Sequence, residues 1–293
     1  MGPKITLPTI RLSQGHLNLL ATCPRKFQHV FLEQLSAPQT PEQQEKLVQG
    51  SRFHLLLQQW QLGLPVQLVV QEDPKIQGWF SNFVQATPRI LGLDPSVGET
   101  MQQSEHQRTL EFQGYLLTVI YDLLITNWEQ AKILDWKTYP RPQFAHWLTQ
   151  NWQSRLYPFV LAETSPYSPA QISMVYWFFQ TQAGDNTSPQ SLTLRYDRAQ
   201  HERTRHALID LLDQLTGWLE NYQKGHPFPQ VSGNSQLPNS QAPTAQFPTA
   251  KSCESCNFAV RCGRVTMQTG DRPPSPASPP SFPNFSSIPE IPI

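Results

Sequence analysis

The chain has 293 residues, and its 22 Lys plus Arg balance 22 Asp plus Glu. This length admits one large domain or two smaller ones with a real core, and the zero balance excludes a globally basic surface that would hold nucleic acid by phosphate neutralisation alone. The 28 prolines gather toward the C-terminus, no apolar run is long enough to span a bilayer, and Met1 to Ile10 lacks the apolar stretch of a secretion signal. A soluble cytoplasmic protein without membrane partners is the expectation.

Ser13 precedes Leu17, Leu20, Phe27, Val30 and Phe31, a capped helical region punctuated at Cys23-Pro24, where Pro24 opens a second helix. Between Glu42 and Trp60, apolar residues Leu47, Phe53, Leu57 and Trp60 recur at helical spacing and place His54 on or beside the apolar face. Residues 61–104 carry no decisive pattern. Tyr115 to Thr126 and Ala131 to Thr138 read as two strands around the turn Asn127 to Gln130, and helical periodicity resumes from Phe144 to about Glu163. Gln171 to Thr181 and Ser191 to Tyr196 read as further strands. Asp197 then caps a long helix to Lys224 that Gly225 stops. This order predicts an α/β or α+β domain over residues 1–264. Residues 226–250 read as a loop or linker, and the Pro/Ser-rich residues 265–293 as a disordered tail.

A four-residue turn at Asn127 to Gln130 sets Thr126 opposite Ala131, Leu124 opposite Ile133 and Asp122 opposite Asp135. Directly opposed residues have Cβ atoms about 4.5 to 5.5 Å apart, and like charges there destabilise a hairpin. A divalent cation with two oxygen ligands compensates, and Lys137, on the same strand face as Asp135, reaches a metal-bound water or a phosphate. The alternative is a solvated pair near the strand ends, or one neutralised by Lys137. Gln153 and Tyr157 lie four apart and share a helix face. Local basic clusters are Arg25 with Lys26, the run Arg195, Arg198, Arg203 and Arg205, and Lys251 with Arg261 and Arg264. Each is either a phosphate-binding surface or a solvated face.

The cysteines are Cys23, Cys253, Cys256 and Cys262, the last three spaced C-x2-C-x5-C. In a chain with no sign of secretion, a four-thiolate metal site is the better reading than two disulfides. Zinc and an iron–sulfur cluster both suit thiolates, and spacing does not choose between them. Four unrelated thiols are the remaining alternative.

Together these residues resemble the RecB-like nucleases of the PD-(D/E)XK superfamily, especially the iron–sulfur branch with the AddB-type recombination nuclease and the CRISPR-associated RecB-type exonucleases. The resemblance covers most of residues 11–264. Leu12-Ser13, Leu17 and Cys23-Pro24-Arg25-Lys26-Phe27 look like the opening helix with its first cluster cysteine, and Gly50-Ser51-Arg52-Phe53-His54 like the Gly-x-x-x-His element. Asp122, Asp135-Trp136-Lys137-Thr138, Gln153-x-x-x-Tyr157 and the C-terminal cysteines follow in the family's order. Two positions depart from the pattern: Val119 stands where the family has Gly, and Pro158 follows Tyr157.

The resemblance implies a restriction-endonuclease-like core, a mixed sheet flanked by helices, with the N- and C-terminal segments joined by the four cysteines. It implies that His54, Asp122 and Asp135, with the Trp136 carbonyl, hold Mg²⁺ or Mn²⁺, that Lys137 orients the nucleophilic water, and that Gln153 and Tyr157 position the strand. The cysteines are implied to hold a structural [4Fe-4S] cluster, with zinc the alternative. The implied activity is metal-dependent hydrolysis of DNA, as an exonuclease on single strands or free ends, in repair, recombination or defence. With no G-x-x-x-x-G-K-[ST] in the chain, the nuclease stands alone or serves a helicase or other repair or defence subunit. The competing expectation is a catalytically inactive iron–sulfur DNA-binding or assembly module of the same fold.

Overall fold

The computed structural model describes residues 10–36, 40–92, 100–143, 146–180, 188–231, 253 and 256–264. The expected tail at 265–293 and nearly all of the expected linker lie outside the described residues. In chain order the elements are β1 (Arg11–Leu12), α1 (Gln14–Thr22), α2 (Pro24–Phe27), α3 (Pro41–Gln61), α4 (Gln67–Glu72), α5 (Pro74–Leu91), β2 (Met101–Phe112) and β3 (Tyr115–Thr126). They continue with β4 (Ala131–Lys137), α6 (His146–Gln150), α7 (Trp152–Glu163), β5 (Ile172–Phe178), β6 (Gln190–Arg195) and α8 (Arg198–Gln223).

The strands form one mixed sheet with β3 at its hub. β2 runs antiparallel along β3, while β1 (parallel, at Leu116 and Leu117) and β4 (antiparallel, from Leu123 to Thr126) divide the remaining edge between them. β5 lies parallel to β4, and β6 antiparallel to β5. The Asn127 carboxamide oxygen fixes the β3–β4 turn by accepting the backbone N–H groups of Glu129 and Gln130 at 2.9 and 2.8 Å. The resulting pairs Thr126–Ala131 and Leu124–Ile133 are those expected from the turn length.

Two apolar layers sandwich the sheet. Leu17, Leu117, Leu156, Leu212 and their neighbours pack α1, α7 and α8 on one face, and Phe53, Phe83, Trp136 and Phe179 pack α3 and α5 on the other. Along β3, Tyr115, Leu117, Val119, Tyr121 and then Leu124 belong to the first layer, whereas Leu123 and Ile125 belong to the second. The two-residue alternation of a strand therefore breaks at Asp122. On β2 the residue facing that break is Glu105, whose backbone is left-handed at φ 48°.

Caps account for the helix boundaries. Thr40 and Gln43 form a reciprocal box before Pro41, and Asp197 and Gln200 do the same at the start of α8. Gly225, at φ 86°, supplies the left-handed residue just beyond the α8 C-terminus. At α1 the box partner of Ser13 is His16, whose Nδ1 accepts the Ser13 N–H at 2.9 Å.

Two expectations need correction. The unassigned stretch 61–104 holds α4, α5 and the start of β2. The single helix expected from Phe144 to Glu163 is two helices, broken where Asn151 turns outward to cap α7 by accepting the Gln153 N–H at 2.8 Å. Pro158 lies inside α7 without ending it. No helix among the described residues is long and apolar enough to cross a membrane.

Candidate active site

The β3–β4 ladder carries its last backbone pair at Leu123–Leu134. One residue further, where Asp122 faces Asp135, the strands part, and Asp122 fills the opening by accepting the Trp136 N–H on Oδ2 at 2.7 Å. The carboxylate thus replaces a lost ladder bond. From α3, His54 closes the same corner, with Nδ1 3.2 Å from Asp122 Oδ1 and Nε2 3.0 Å from the Trp136 carbonyl oxygen. Burial alone would lower the His54 pKa, but the charge and hydrogen bond of Asp122, reinforced by Asp135, carry it to about 9. An imidazolium donates from both nitrogens, which matches its two acceptors.

Asp135, only 2% exposed, is neutralised within a closed ring of side chains. Lys137 Nζ lies 2.6 Å from Asp135 Oδ1 and donates to Gln153 Oε1 at 3.0 Å, while Gln153 Nε2 donates to Asp135 Oδ2. Burial pushes the Asp135 carboxyl up against the pull of Lys137, and the Asp122 charge adds to that push. Burial opposes the charge on Lys137, yet Asp135 outweighs it and holds the ammonium above its ordinary value. Tyr157 is buried one turn beyond Gln153, and its backbone carbonyl accepts the Tyr121 hydroxyl at 3.0 Å. Gln153 therefore aims at the Asp135–Lys137 pair, and the Tyr157 ring packs edge-on against Tyr121 at 5.5 Å between centroids. Val119, at 1% exposure, points into the apolar layer.

The sequence reading missed Glu105. Ligand atoms of His54, Glu105 and Asp122 all lie within 4.8 Å of one another. Burial, followed by the charge of Asp122, raises the Glu105 pKa to about 7. Among the described residues the metal-sized cluster is thus His54, Glu105 and Asp122, whereas the expected ligand Asp135 is turned to Lys137 and Gln153. Two carboxylates and the adjacent Trp136 carbonyl are hard oxygen donors suited to Mg²⁺ or Mn²⁺, with the His54 imidazole as a borderline fourth donor.

The four cysteines come together elsewhere. Cys23, Cys253, Cys256 and Cys262 line one small cavity beside the α2 N-terminus, and none is in a disulfide. Cys23 caps α2, its sulfur accepting the Lys26 N–H at 3.4 Å. Four residues of the basic clusters are committed to the fold. Arg205 pairs with Glu163 at 2.7 Å and Arg261 with Glu33 at 3.1 Å, while Arg25 and Arg264 donate to the Phe228 and Val231 carbonyls. Lys251 lies outside the described residues.

No curated protein sequence matches the chain. Among solved structures, a candidate exonuclease from Eubacterium rectale superposes with a TM-score of 0.45 at 11% identity, covering 79% of this chain and 91% of its own. The protein SSO0001 superposes with a TM-score of 0.38 at 11% identity, covering 89% and 90%. A family model described as the PD-(D/E)XK nuclease superfamily matches residues 11–263, a span that contains every site residue named above. The chain belongs to the PD-(D/E)XK nuclease superfamily.

Proposed function

We propose that the protein is a divalent-metal-dependent deoxyribonuclease of the RecB-like iron–sulfur branch, hydrolysing phosphodiester bonds in single-stranded DNA or at free ends during repair, recombination or defence. The observation that carries this reading is the His54–Glu105–Asp122 cluster lying beside the Asp135–Lys137–Gln153 ring. In this reading His54, Glu105 and Asp122 hold Mg²⁺ or Mn²⁺, and Asp135 and the Trp136 carbonyl complete the shell. The bound ion supplies charge that polarises the scissile phosphate and lowers the pKa of a coordinated water.

The chain's own groups do the rest. Lys137, kept charged by Asp135 and aimed by Gln153, orients the attacking water and offsets charge developing on the phosphate oxygens. Gln153 holds that ammonium in place, and Gln153 and Tyr157 position the DNA strand. Cys23, Cys253, Cys256 and Cys262 hold a structural [4Fe-4S] cluster, zinc being the competing metal, and the cluster ties the C-terminal segment to α2. The nuclease domain spans 1–264, with 226–250 as linker and 265–293 as a tail available to a helicase or other partner. The inactive-module alternative loses support because Val119 faces the core and Pro158 leaves α7 unbroken.

The test is cleavage of end-labelled single-stranded DNA by purified protein in Mg²⁺ or Mn²⁺. Activity should vanish in chelator and fall at least about 10²-fold in Lys137→Met, a loss expected for one aligned transition-state donor. Undiminished cleavage by Lys137→Met contradicts the role given to the lysine.

A further inference from the structure

Behind the cysteine cavity lies a chain of polar side chains that the nuclease chemistry does not use. His29 follows α2 in a single π turn, Gln28–Leu32, and is only 2% exposed. Its Nε2 lies 3.7 Å from Cys262 Sγ, within hydrogen-bonding range for sulfur, and its Nδ1 lies 2.8 Å from Glu33 Oε2. The same Glu33 oxygen accepts from Arg261 at 3.1 Å, and Gln28 donates to the other. The Phe258 ring packs against the imidazole at 5.1 Å between centroids. Both ring nitrogens are thus directed, one to a carboxylate and one to a cysteine sulfur, and Glu33 also anchors the residue preceding Cys262.

From this geometry we infer that Glu33 and His29 form a relay that orients the Cys262 sulfur and, through an Nε2–H···S bond to the ligating thiolate, sets the reduction potential of the cluster. The inference rests on the [4Fe-4S] reading of the four cysteines. The Glu33 carboxylate accepts Nδ1–H and fixes the ring, and a ligating thiolate at the other end is a second acceptor, so Nε2–H is directed at the sulfur, the arrangement by which outer groups orient and tune metal ligands. A donor to a ligating sulfur stabilises the reduced, more negative cluster and raises its potential. His29 is a positioning residue here and binds no iron itself.

The experiment uses the full chain, purified anaerobically as wild type, His29→Leu and His29→Gln, with iron and sulfide analysis and an EPR-monitored redox titration. His29→Leu should shift the oxidised-to-reduced ratio about tenfold toward oxidised at a fixed ambient potential, about 59 mV for a one-electron couple. His29→Gln, which keeps an N–H donor, should remain near wild type. If His29→Leu takes up no iron while His29→Gln takes up the wild-type complement, the requirement for a donor is upheld. If all three carry the cluster at the same potential, the relay is overturned and the cluster reading stands. Zinc, or no metal, in the wild type overturns both.

Discussion

Removing the charge of Asp135 isolates the electrostatics of the site from its chemistry. In Asp135→Asn, Lys137, whose side chain is 13% exposed, keeps Gln153 as a neutral acceptor but loses its counter-ion. Breaking a buried pair from one side costs about 3 to 5 kcal/mol, because the remaining charge is left uncompensated. Lys137→Met costs less, about 1 to 3 kcal/mol, because burial already pushes the Asp135 carboxyl up and the group can take a proton in place of its partner. Replacing both partners removes both charges together, so Asp135→Asn/Lys137→Met should be more stable than Asp135→Asn alone by about 2 kcal/mol or more. Urea denaturation at pH 7 with no added divalent metal measures all four corners of this cycle. Costs that simply add would mean that the 2.6 Å pair is not coupled in solution, and the placement of a charged Lys137 beside the metal cluster would fail with it.

Further outcomes follow from the other titrating groups. His16 is held neutral by burial, its pKa lowered to about 4. The unfolded chain takes up this proton below pH 6.5 and the fold does not, so the stability due to His16 is full above 6.5 and falls as pH drops toward 4, by about 3 kcal/mol. His16→Gln preserves the capping box and should lack this portion of the acid loss in parallel denaturation curves at pH 7 and pH 4; equal losses in the two proteins would contradict a buried neutral histidine. His54 is charged below pH 9, so taking up an ion through its ring expels a proton. Calorimetric Mn²⁺ titrations at pH 8 in buffers of different ionisation enthalpy should report about one proton released per ion bound. No release would remove His54 from the ligand set.

The parts of the fold that were legible in sequence are those whose signals are local. The β3–β4 register follows from the length of the Asn127 turn and alternating apolar residues, so the pairs Thr126–Ala131 and Leu124–Ile133 were readable in the sequence, whereas the expected pairing of Asp122 with Asp135 falls one step beyond the last ladder pair, Leu123–Leu134. Asp197 and Gly225 likewise mark the ends of α8. Asp73 and Pro74 begin α5 with an equally local signal, since the Asp73 carboxylate accepts from Lys75 N–H at 2.9 Å, but Pro88 within the helix disguises its extent. Glu105 was not legible. Its strand has only exposed and half-buried residues, with no alternation around Glu105 and little apolar character, and only pairing with β3 brings it across from Asp122. The engagement of Asp135 was also beyond spacing rules, because it depends on Gln153 arriving from a helix that Asn151 starts anew. The co-location of the cysteines was anticipated from count and spacing, whereas His29 behind Cys262 carried no motif.

The most direct test is cleavage of single-stranded DNA in Mg²⁺ and ¹⁸O-enriched water by wild type and Asp122→Asn, with the product phosphates weighed by mass spectrometry. Metal-dependent cleavage by wild type with one heavy oxygen in each new phosphomonoester, together with its loss in Asp122→Asn, is the predicted result. Absence of cleavage by wild type in every metal tried, or unlabelled phosphate in the products, would contradict hydrolysis by a metal-activated water at this site.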